Sequence, residues 1–247
     1  MTRLADCHNI ADLRRVAKRR LPRGVFEFID RGTEDEVAVR ENRAAIERIR
    51  LIPRMPLDVS NRSLASSLFG APVSMPLAIA PTGAAGLAWY KGELELARAA
   101  KAAGIPFTMA TGSMTKLEEV AREAGGRLWF QLYVWPDREL TYALVKRAAE
   151  NGYEALVVTV DTPVSPNREY NTRNGFGVPF RPSVSNIADV ILHPEWLITT
   201  LLPYLCTVGM PRQENHPPEF HARETRAAWA PRFGLSDSVD WEELKRL

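Results

Sequence analysis

The chain is poor in cysteine: Cys7 and Cys206 are its only two, and they lie far apart. Two distant cysteines form neither the framework of a disulfide-rich domain nor the paired spacing of a Cys-x-x-Cys metal site. A reducing cytoplasm therefore fits best. His216 and His221 are the nearest approach to a metal-binding pair, but the two prolines between them prevent a shared helix. We expect a solvated loop there and no metal site.

Long runs of charge of one sign are also missing, as are long apolar runs. The 32 basic and 30 acidic residues are mixed along the chain, and the formal net charge is +2. This balance offers no extended basic surface for nucleic acid. The first twenty residues are rich in arginine and lack an apolar stretch long enough for a signal peptide or a spanning helix. We therefore expect a globular protein that binds no nucleic acid and is not exported.

The middle of the chain alternates between strand-like and helix-like segments. Residues 1–75 predict a helical preface with breaks at Leu21-Pro22 and Gly32, followed by an irregular segment or short strands. Residues 76–161 predict four βα units with a parallel sheet. The predicted strands are Pro76–Ala80, Pro106–Ala110, Leu128–Val134 and Ala155–Val160, and the helices between them are Glu93–Ala103, Thr115–Ala124 and Asp137–Asn151.

Two further patterns complete this organisation. Thr115 and Glu118 have the spacing of a capping box at the start of the second of these helices. Residues 162–236 predict one long polar and proline-rich loop, and Val239–Leu247 a short helix. A complete eight-unit barrel needs about 250 residues without a preface. We therefore expect an incomplete barrel, with open strand edges that favour self-association.

Polar residues stand where the predicted strands end, which is where parallel barrels carry their chemistry. Gln131 and Tyr133 are two residues apart on the third strand, so their side chains face the same side. Thr159 and Asp161 end the fourth strand. Arg168 follows with a planar guanidinium suited to a carboxylate. From spacing alone, an ion pair of Arg168 with a neighbouring acid such as Glu169 is favoured.

Nine short motifs occur in a fixed order and carry a family resemblance. They are Leu21-Pro22, Gly32–Glu36, Glu41–Arg43, Asp58–Ser60, Ser74–Leu77, Ala80–Gly83, Phe130–Val134, Thr159–Pro163 and Arg168-Glu169. In this order the chain resembles FMN-dependent 2-hydroxy-acid dehydrogenases and oxidases, the family of L-lactate dehydrogenase, (S)-mandelate dehydrogenase and glycolate oxidase. The resemblance implies an FMN-binding (β/α)8 TIM barrel, of which this chain holds about the first four βα units and a helical preface.

The resemblance also assigns cofactor residues. It implies that FMN is bound by Pro81, Thr82, Gln131 and Thr159. Gly83 fits the same role, because a residue without a side chain allows the backbone to come close to a flavin. Polar contacts of this kind tune the redox chemistry of such a cofactor.

Substrate residues follow from the same resemblance. Tyr133 is expected to contact the hydroxyl or keto oxygen of the substrate and Arg168 its carboxylate. Asp161 is expected to orient and charge a catalytic histidine. Phe28 stands where the family has a tyrosine that bonds the carboxylate, so we expect weaker binding or a bulkier substrate. Ala110 stands where relatives often have a serine, with Thr111 beside it.

The catalytic histidine is the missing part. His8, His193, His216 and His221 are the only histidines, and none falls at the end of a predicted strand. The family supplies this base from a later strand, beyond the point matched by Leu247. We therefore expect residues 1–247 to be an incomplete FMN hydroxy-acid dehydrogenase domain that is inactive alone.

The implied reaction is oxidation of a small L-2-hydroxy acid, lactate- or mandelate-like, to the 2-keto acid, with quinone, cytochrome or oxygen as electron acceptor. A homo-oligomer is implied for the complete protein. Membrane-associated relatives use the loop corresponding to residues 187–205 to sit on the bilayer. Packing of this partly amphipathic stretch on its own barrel or on a neighbouring subunit is an equal alternative. The location is then cytoplasmic or peripheral on the inner membrane.

Two other functions stay open. One is a different FMN barrel, such as an isomerase or a nucleotide dehydrogenase, which would carry phosphate- or nucleotide-binding residues in place of Tyr133 and Arg168. The other is a non-catalytic remnant or interaction module, which the missing base and the open half barrel favour.

Overall fold

The computed structural model describes residues 4–161, 166–177, 183–217, 236 and 238–247. The chain divides into two compact units. The first unit is formed by Met1–Ala65 and Pro166–Pro194, and the second by Ser66–Ser165 and Glu195–Leu247.

A 3-10 turn, Leu4–Asp6, precedes the first helix. In chain order the elements are helices α1 (Ile10–Arg20), α2 (Arg23–Asp30) and α3 (Val37–Arg48), strands β1 (Ser66–Leu68) and β2 (Ala71–Val73), helices α4 (Ala85–Ala88) and α5 (Gly92–Ala103), strand β3 (Phe107–Ala110), helix α6 (Leu117–Glu123), strand β4 (Leu128–Tyr133), helix α7 (Arg138–Glu150), strand β5 (Ala155–Thr159), helices α8 (Glu169–Asn174), α9 (Val184–Leu192) and α10 (Pro194–Trp196), a π-helical turn (Leu197–Leu201), and helices α11 (Leu202–Thr207) and α12 (Trp241–Arg246).

The first unit contains helices α1, α2, α3, α8 and α9. The breaks between α1, α2 and α3 coincide with those predicted at Leu21-Pro22 and Gly32. Asn9 caps α1, because its side-chain oxygen accepts a hydrogen bond from the Asp12 N–H at 2.9 Å. Asn174 on α8 donates to Glu27 on α2 at 2.8 Å. The bond between Asn174 and Glu27 therefore links the two chain segments that form the first unit.

The second unit is built on a parallel sheet of β3, β4 and β5, in that order, within the described residues. Ala110 pairs with Gln131, and Tyr133 with Thr159, so the carboxyl ends of these strands meet at one edge. The predicted α/β fold with a partial parallel barrel is confirmed. The strand expected at Pro76–Ala80 is reduced to a single parallel bridge between Ile79 and Phe107. The flanking prolines explain this, because they lack the N–H that a ladder needs.

The core of the second unit lies between this sheet and helices α5, α6 and α7. Its most deeply buried apolar side chains are Leu94, Met109, Leu117, Val120, Phe130, Leu132 and Leu144. Complete burial of such a side chain contributes roughly 1.5–3 kcal/mol. Strand β4 is almost wholly buried, whereas β5 is only partly covered. The sheet is therefore anchored at its centre and more exposed at β5.

Helices form in the described part of residues 162–236, where the sequence predicts a loop. Ser183 caps α9, and α10, the π-helical turn and α11 follow one another from Pro194 to Thr207. Pro194 and Pro203 look like helix breakers in the sequence, but each lies in the first turn of a helix, where proline is tolerated. In the described parts of the chain, no helix combines the length and apolarity needed to cross a membrane.

The predicted capping box at the start of α6 is wrong. The Thr115 hydroxyl donates to Glu93 at 3.0 Å, and Glu118 pairs with Arg147 at 2.8 Å. The N–H of Leu117, the first residue of α6, donates instead to Asn215 Oδ1 at 3.0 Å. Asn215, which follows α11 in the chain, therefore caps the start of α6.

Candidate active site

The carboxyl ends of β3, β4 and β5 carry a hydrogen-bonded polar group. Gln131 Nε2 donates to Thr159 Oγ1 at 2.8 Å, and its Oε1 accepts from the Thr111 N–H at 3.1 Å. Gln131 is buried, and Thr159 is half-buried. The parallel register brings these residues together, as the sequence predicts for Gln131 and Thr159.

Thr111 is the third residue of this group, and the sequence marks it only as the neighbour of Ala110. Its hydroxyl donates to the Gln131 carbonyl at 2.7 Å and accepts from the Tyr133 N–H at 3.1 Å. The Thr111 side chain is buried, with only 1% of the residue exposed. It ties the end of β3 to the end of β4, and a threonine after a short strand carries no sequence signal for such a role.

The turn Pro81–Ala84 lies beyond the bridge at Ile79. Thr82 and Gly83 are exposed, and the Ala84 N–H donates to the Gly112 carbonyl at 3.1 Å. A Cβ built on Gly83 would meet only the Gly112 oxygen, at 3.8 Å. The turn therefore presents open backbone on the side of the strand ends.

Tyr133 and Asp161 end two neighbouring strands. Tyr133 is half-buried at the end of β4, opposite Thr159 of β5. Asp161 is exposed two residues after β5. Residues 162–165, which complete the motif that begins at Thr159, lie outside the described residues.

Phe28 and Arg168 meet in the first unit. The Arg168 guanidinium carbon lies 4.8 Å from the centre of the Phe28 ring, and Nη1 donates to the Phe28 carbonyl at 3.3 Å. A second ring, that of Phe176, lies 5.1 Å from the Phe28 ring. Glu169 pairs with Arg173 at 2.7 Å. The contact to Phe28, rather than to Glu169, fixes Arg168.

The histidines have other surroundings. His193 Nδ1 lies 2.7 Å from the Asp189 carbonyl oxygen and 3.4 Å from its carboxylate. His216 is only 8% exposed and packs against the Trp135 ring at 5.1 Å, so the prediction of a solvated loop is wrong at this position. His221 lies outside the described residues. No cluster of three potential metal ligands occurs among the residues that the structure describes.

The second unit thus offers groups suited to a planar heteroaromatic cofactor. The Gln131 amide and the Thr159 hydroxyl provide donors and acceptors at the sheet edge. The open backbone at Thr82 and Gly83 allows a ring to come close, because no side chain of Gly83 intervenes. This donor set fits the polar edge of an isoalloxazine ring.

Sequence comparison places the chain among known flavoenzymes. The family described as FMN-dependent dehydrogenase matches residues 17–247. (S)-Mandelate dehydrogenase of Pseudomonas putida is 39% identical over 240 residues, which cover 97% of this chain and 59% of that protein. The L-lactate oxidase of a Nostoc species is 42% identical over 195 residues, or 77% of this chain and 53% of that protein.

Comparison with solved structures finds similarity to the same kind of protein. A crystal structure described as the monotopic membrane protein (S)-mandelate dehydrogenase has a TM-score of 0.88 and 39% identity, over 98% of this chain and 63% of that one. Mandelate oxidase with a difluoro-hydroxyphenylpropionic acid has a TM-score of 0.65 and 39% identity, over 74% of this chain and 58% of that one. The chain spans about half to three-fifths of the length of these relatives.

Proposed function

The chain belongs to the FMN-dependent dehydrogenase family, and on that basis we propose that it serves in oxidation of a small L-2-hydroxy acid, lactate- or mandelate-like, to the 2-keto acid. The observation that carries the proposal is the hydrogen-bonded group of Thr111, Gln131 and Thr159 at the carboxyl ends of three parallel strands. In parallel α/β folds this edge is where cofactors and substrates bind.

The residues that would hold FMN fall into two sets. Pro81, Thr82 and Gly83 would approach it through the turn, and Gln131 and Thr159 would bond its polar edge. FMN, when bound, supplies the acceptor for the two electrons that leave the substrate. The task of these side chains is to orient the cofactor and to tune its chemistry by hydrogen bonds.

The substrate would be held by groups of complementary chemistry. We assign the Arg168 guanidinium to the carboxylate, because its planar fork matches two carboxylate oxygens. The Tyr133 hydroxyl is assigned to the oxygen on the reacting carbon. Phe28 supplies a ring without a hydroxyl, which favours an aromatic or bulky substituent over a further polar contact.

Proton removal needs a base beyond these residues. We assign Asp161 to stabilising the cationic form of a histidine that takes the proton. In the described residues His193 and His216 are engaged with Asp189 and Trp135, and His8 is exposed before α1 in the first unit. We therefore propose that residues 1–247 need a polypeptide that supplies the histidine before they turn over substrate.

A peripheral membrane contact is proposed for residues 187–205. In the second unit Trp196, Thr200 and Tyr204 recur every four residues and are buried, whereas Ile198 is 60% exposed and Leu202 and Leu205 are exposed as well. An amphipathic helical stretch of this kind suits the surface of a bilayer. Quinone would then be the favoured acceptor, with cytochrome and oxygen as the alternatives.

The test joins residues 1–247 to the C-terminal part of the Pseudomonas putida relative that lies beyond their match. We expect the joined protein to bind FMN and its flavin absorbance to bleach anaerobically with (S)-mandelate or L-lactate. The (R)- and D-enantiomers are the matched controls, and reoxidation by a quinone, cytochrome c or oxygen identifies the acceptor. A folded, FMN-loaded protein that no 2-hydroxy acid reduces would contradict the proposal.

A further inference from the structure

Glu93 is a buried carboxylate in the first turn of α5, with only 1% of the residue exposed. Its Oε1 accepts hydrogen bonds from the Gly86 N–H at 3.1 Å and from the Met114 N–H at 3.0 Å. Its Oε2 accepts from the Thr115 hydroxyl at 3.0 Å. Three donors therefore converge on one buried charge.

These donors belong to two different segments of the second unit. Gly86 lies in α4, directly after the turn Pro81–Ala84, and Met114 and Thr115 lie between β3 and α6. The two segments touch again where the Ala84 N–H donates to the Gly112 carbonyl at 3.1 Å. Glu93 therefore joins α4, the short helix that directly follows the turn assigned to FMN, to the segment that follows Thr111.

The packing around Glu93 leaves little room for movement. A Cβ on Gly86 would lie 2.4 Å from the Tyr204 hydroxyl and 2.8 Å from the Met114 Cβ. A Cβ on Gly92 would lie 2.6 Å from the Ala85 oxygen. Only glycine fits at these positions, so the backbone that presents the Gly86 N–H is held closely against its neighbours.

A carboxylate suits this place for two reasons. Hydrogen bonds to a charged acceptor are roughly twice as strong as those between neutral groups. The first turn of α5 also favours a negative charge, because the helix dipole is positive there. Tyr204 remains a neutral neighbour, since burial and then the charge of Glu93 raise the pKa of its phenol.

We propose that Glu93 is a positioning residue for the cofactor turn, and this inference rests on the proposed function. By holding Gly86 and Met114 on one oxygen, Glu93 fixes the turn Pro81–Ala84 against the end of β3. The backbone at Thr82 and Gly83 is then preorganised for FMN, so that binding does not have to order it.

The test compares Glu93→Ala and Glu93→Gln with the control Tyr153→Phe in the joined protein. The control removes another buried hydrogen bond, from Tyr153 to the Leu117 carbonyl at 3.0 Å, and leaves the three hydrogen bonds of Glu93 in place. We expect Glu93→Ala to weaken FMN binding about tenfold or more, because two backbone donors lose their acceptor. Glu93→Gln keeps an oxygen acceptor and should stay within about threefold of the parent, as should the control.

Amide hydrogen exchange without FMN gives a second readout. We expect faster exchange at Gly86 and Met114 in Glu93→Ala but not in Tyr153→Phe, because only the first variant releases those N–H groups. If Glu93→Ala does not fold, Glu93→Asp replaces it, since the shorter side chain withdraws the carboxylate while keeping its charge. The expectations for binding and exchange are the same for Glu93→Asp.

The outcomes separate the two proposals. The positioning role alone is overturned if amide exchange in Glu93→Ala rises evenly along the chain. The same holds if Glu93→Ala binds FMN no more weakly than Tyr153→Phe does. A parent protein that binds no FMN would overturn the proposed function together with the cofactor part of this inference.

Discussion

The Arg168 guanidinium stacks on the Phe28 ring at 4.8 Å and donates to the carbonyl oxygen of the same residue at 3.3 Å. One residue therefore holds the guanidinium through both its ring and its backbone. Arginine has five N–H donors in a fixed plane, so a guanidinium held in this way keeps a defined orientation.

This relationship predicts opposite effects for two substitutions in the joined protein. Arg168→Met should raise KM or slow flavin reduction by tenfold or more, because a charged hydrogen bond contributes about 1.5–3 kcal/mol. Phe28→Tyr keeps the ring under Arg168 and should lower KM. Stopped-flow reduction with (S)-mandelate and L-lactate measures both. Unchanged reduction in Arg168→Met would show that the carboxylate is bound elsewhere.

Gln131→Met separates a role in FMN binding from a role in stability. The Thr111 N–H also donates to the Gln131 backbone carbonyl, so the substitution does not leave it without an acceptor. We expect the free energy of unfolding to fall by only about 0.5–1.5 kcal/mol, and the free energy of FMN binding to weaken by more than this. Urea unfolding without cofactor and flavin titration provide the two values. Thr159→Ser, which keeps the hydroxyl, is the control and should change neither.

Asn215→Ala should destabilise the chain through the start of α6. Asn215 is fully buried, and its loss leaves the Leu117 N–H without the side-chain acceptor. We expect the free energy of unfolding to fall by about 1–2 kcal/mol. Asn215→Asp retains the oxygen at a helix N-terminus and should lose less. Equal urea midpoints for the parent and Asn215→Ala would contradict the cap.

Alkaline pH should destabilise the second unit through two buried phenols. Burial raises the pKa of Tyr204 and of Tyr153, with Glu93 and Glu118 adding to the shift. A raised pKa in the folded state means that stability is intact below pH of about 10 and is lost as pH rises above it, at about 1.4 kcal/mol per pH unit for each phenol. Urea midpoints between pH 8 and 11 should fall less steeply in Tyr204→Phe than in the parent. Identical slopes would exclude this contribution.

Residues 1–247 alone should self-associate. Within the described residues β5 pairs only with β4, and Val157 and Val160 near its end are exposed. An open strand edge beside exposed apolar side chains is a template for pairing with another chain. Size-exclusion chromatography with light scattering should give masses above the monomer, and joining the C-terminal part should reduce them. A monomer of 1–247 with one cooperative thermal transition would contradict the half-barrel interpretation.

The sequence predicts those parts of the fold whose causes are local. Strands β3, β4 and β5 and helices α5 and α7 begin and end within one or two residues of their predicted bounds. This information lies within a few positions of the sequence: short apolar runs mark the strands, Asp137 caps α7, and glycines follow the ends of helices. The strand-end residues Gln131 and Thr159 come together for the same reason, because the sheet register follows from these strands.

Where the sequence predictions fail, the cause lies in residues far away in the sequence. Thr115 and Glu118 match a capping box, but in the structure the Thr115 hydroxyl donates to Glu93 and the Arg147 guanidinium donates to Glu118. Neither Glu93 nor Arg147 is part of the motif, so the motif alone does not reveal these bonds. Glu93 itself looks like an ordinary acidic residue in a first helical turn. Only tertiary structure shows that it is buried and that three donors reach it.

The cap on α6 also bears on the order of folding during synthesis. Asn215 lies 98 residues after Leu117, so the ribosome adds it on the order of 5–20 s after the start of α6 has been made. Until then the Leu117 N–H lacks the side-chain acceptor that it has in the folded protein. We expect a pause in translation before Asn215 to prolong this uncapped state of α6.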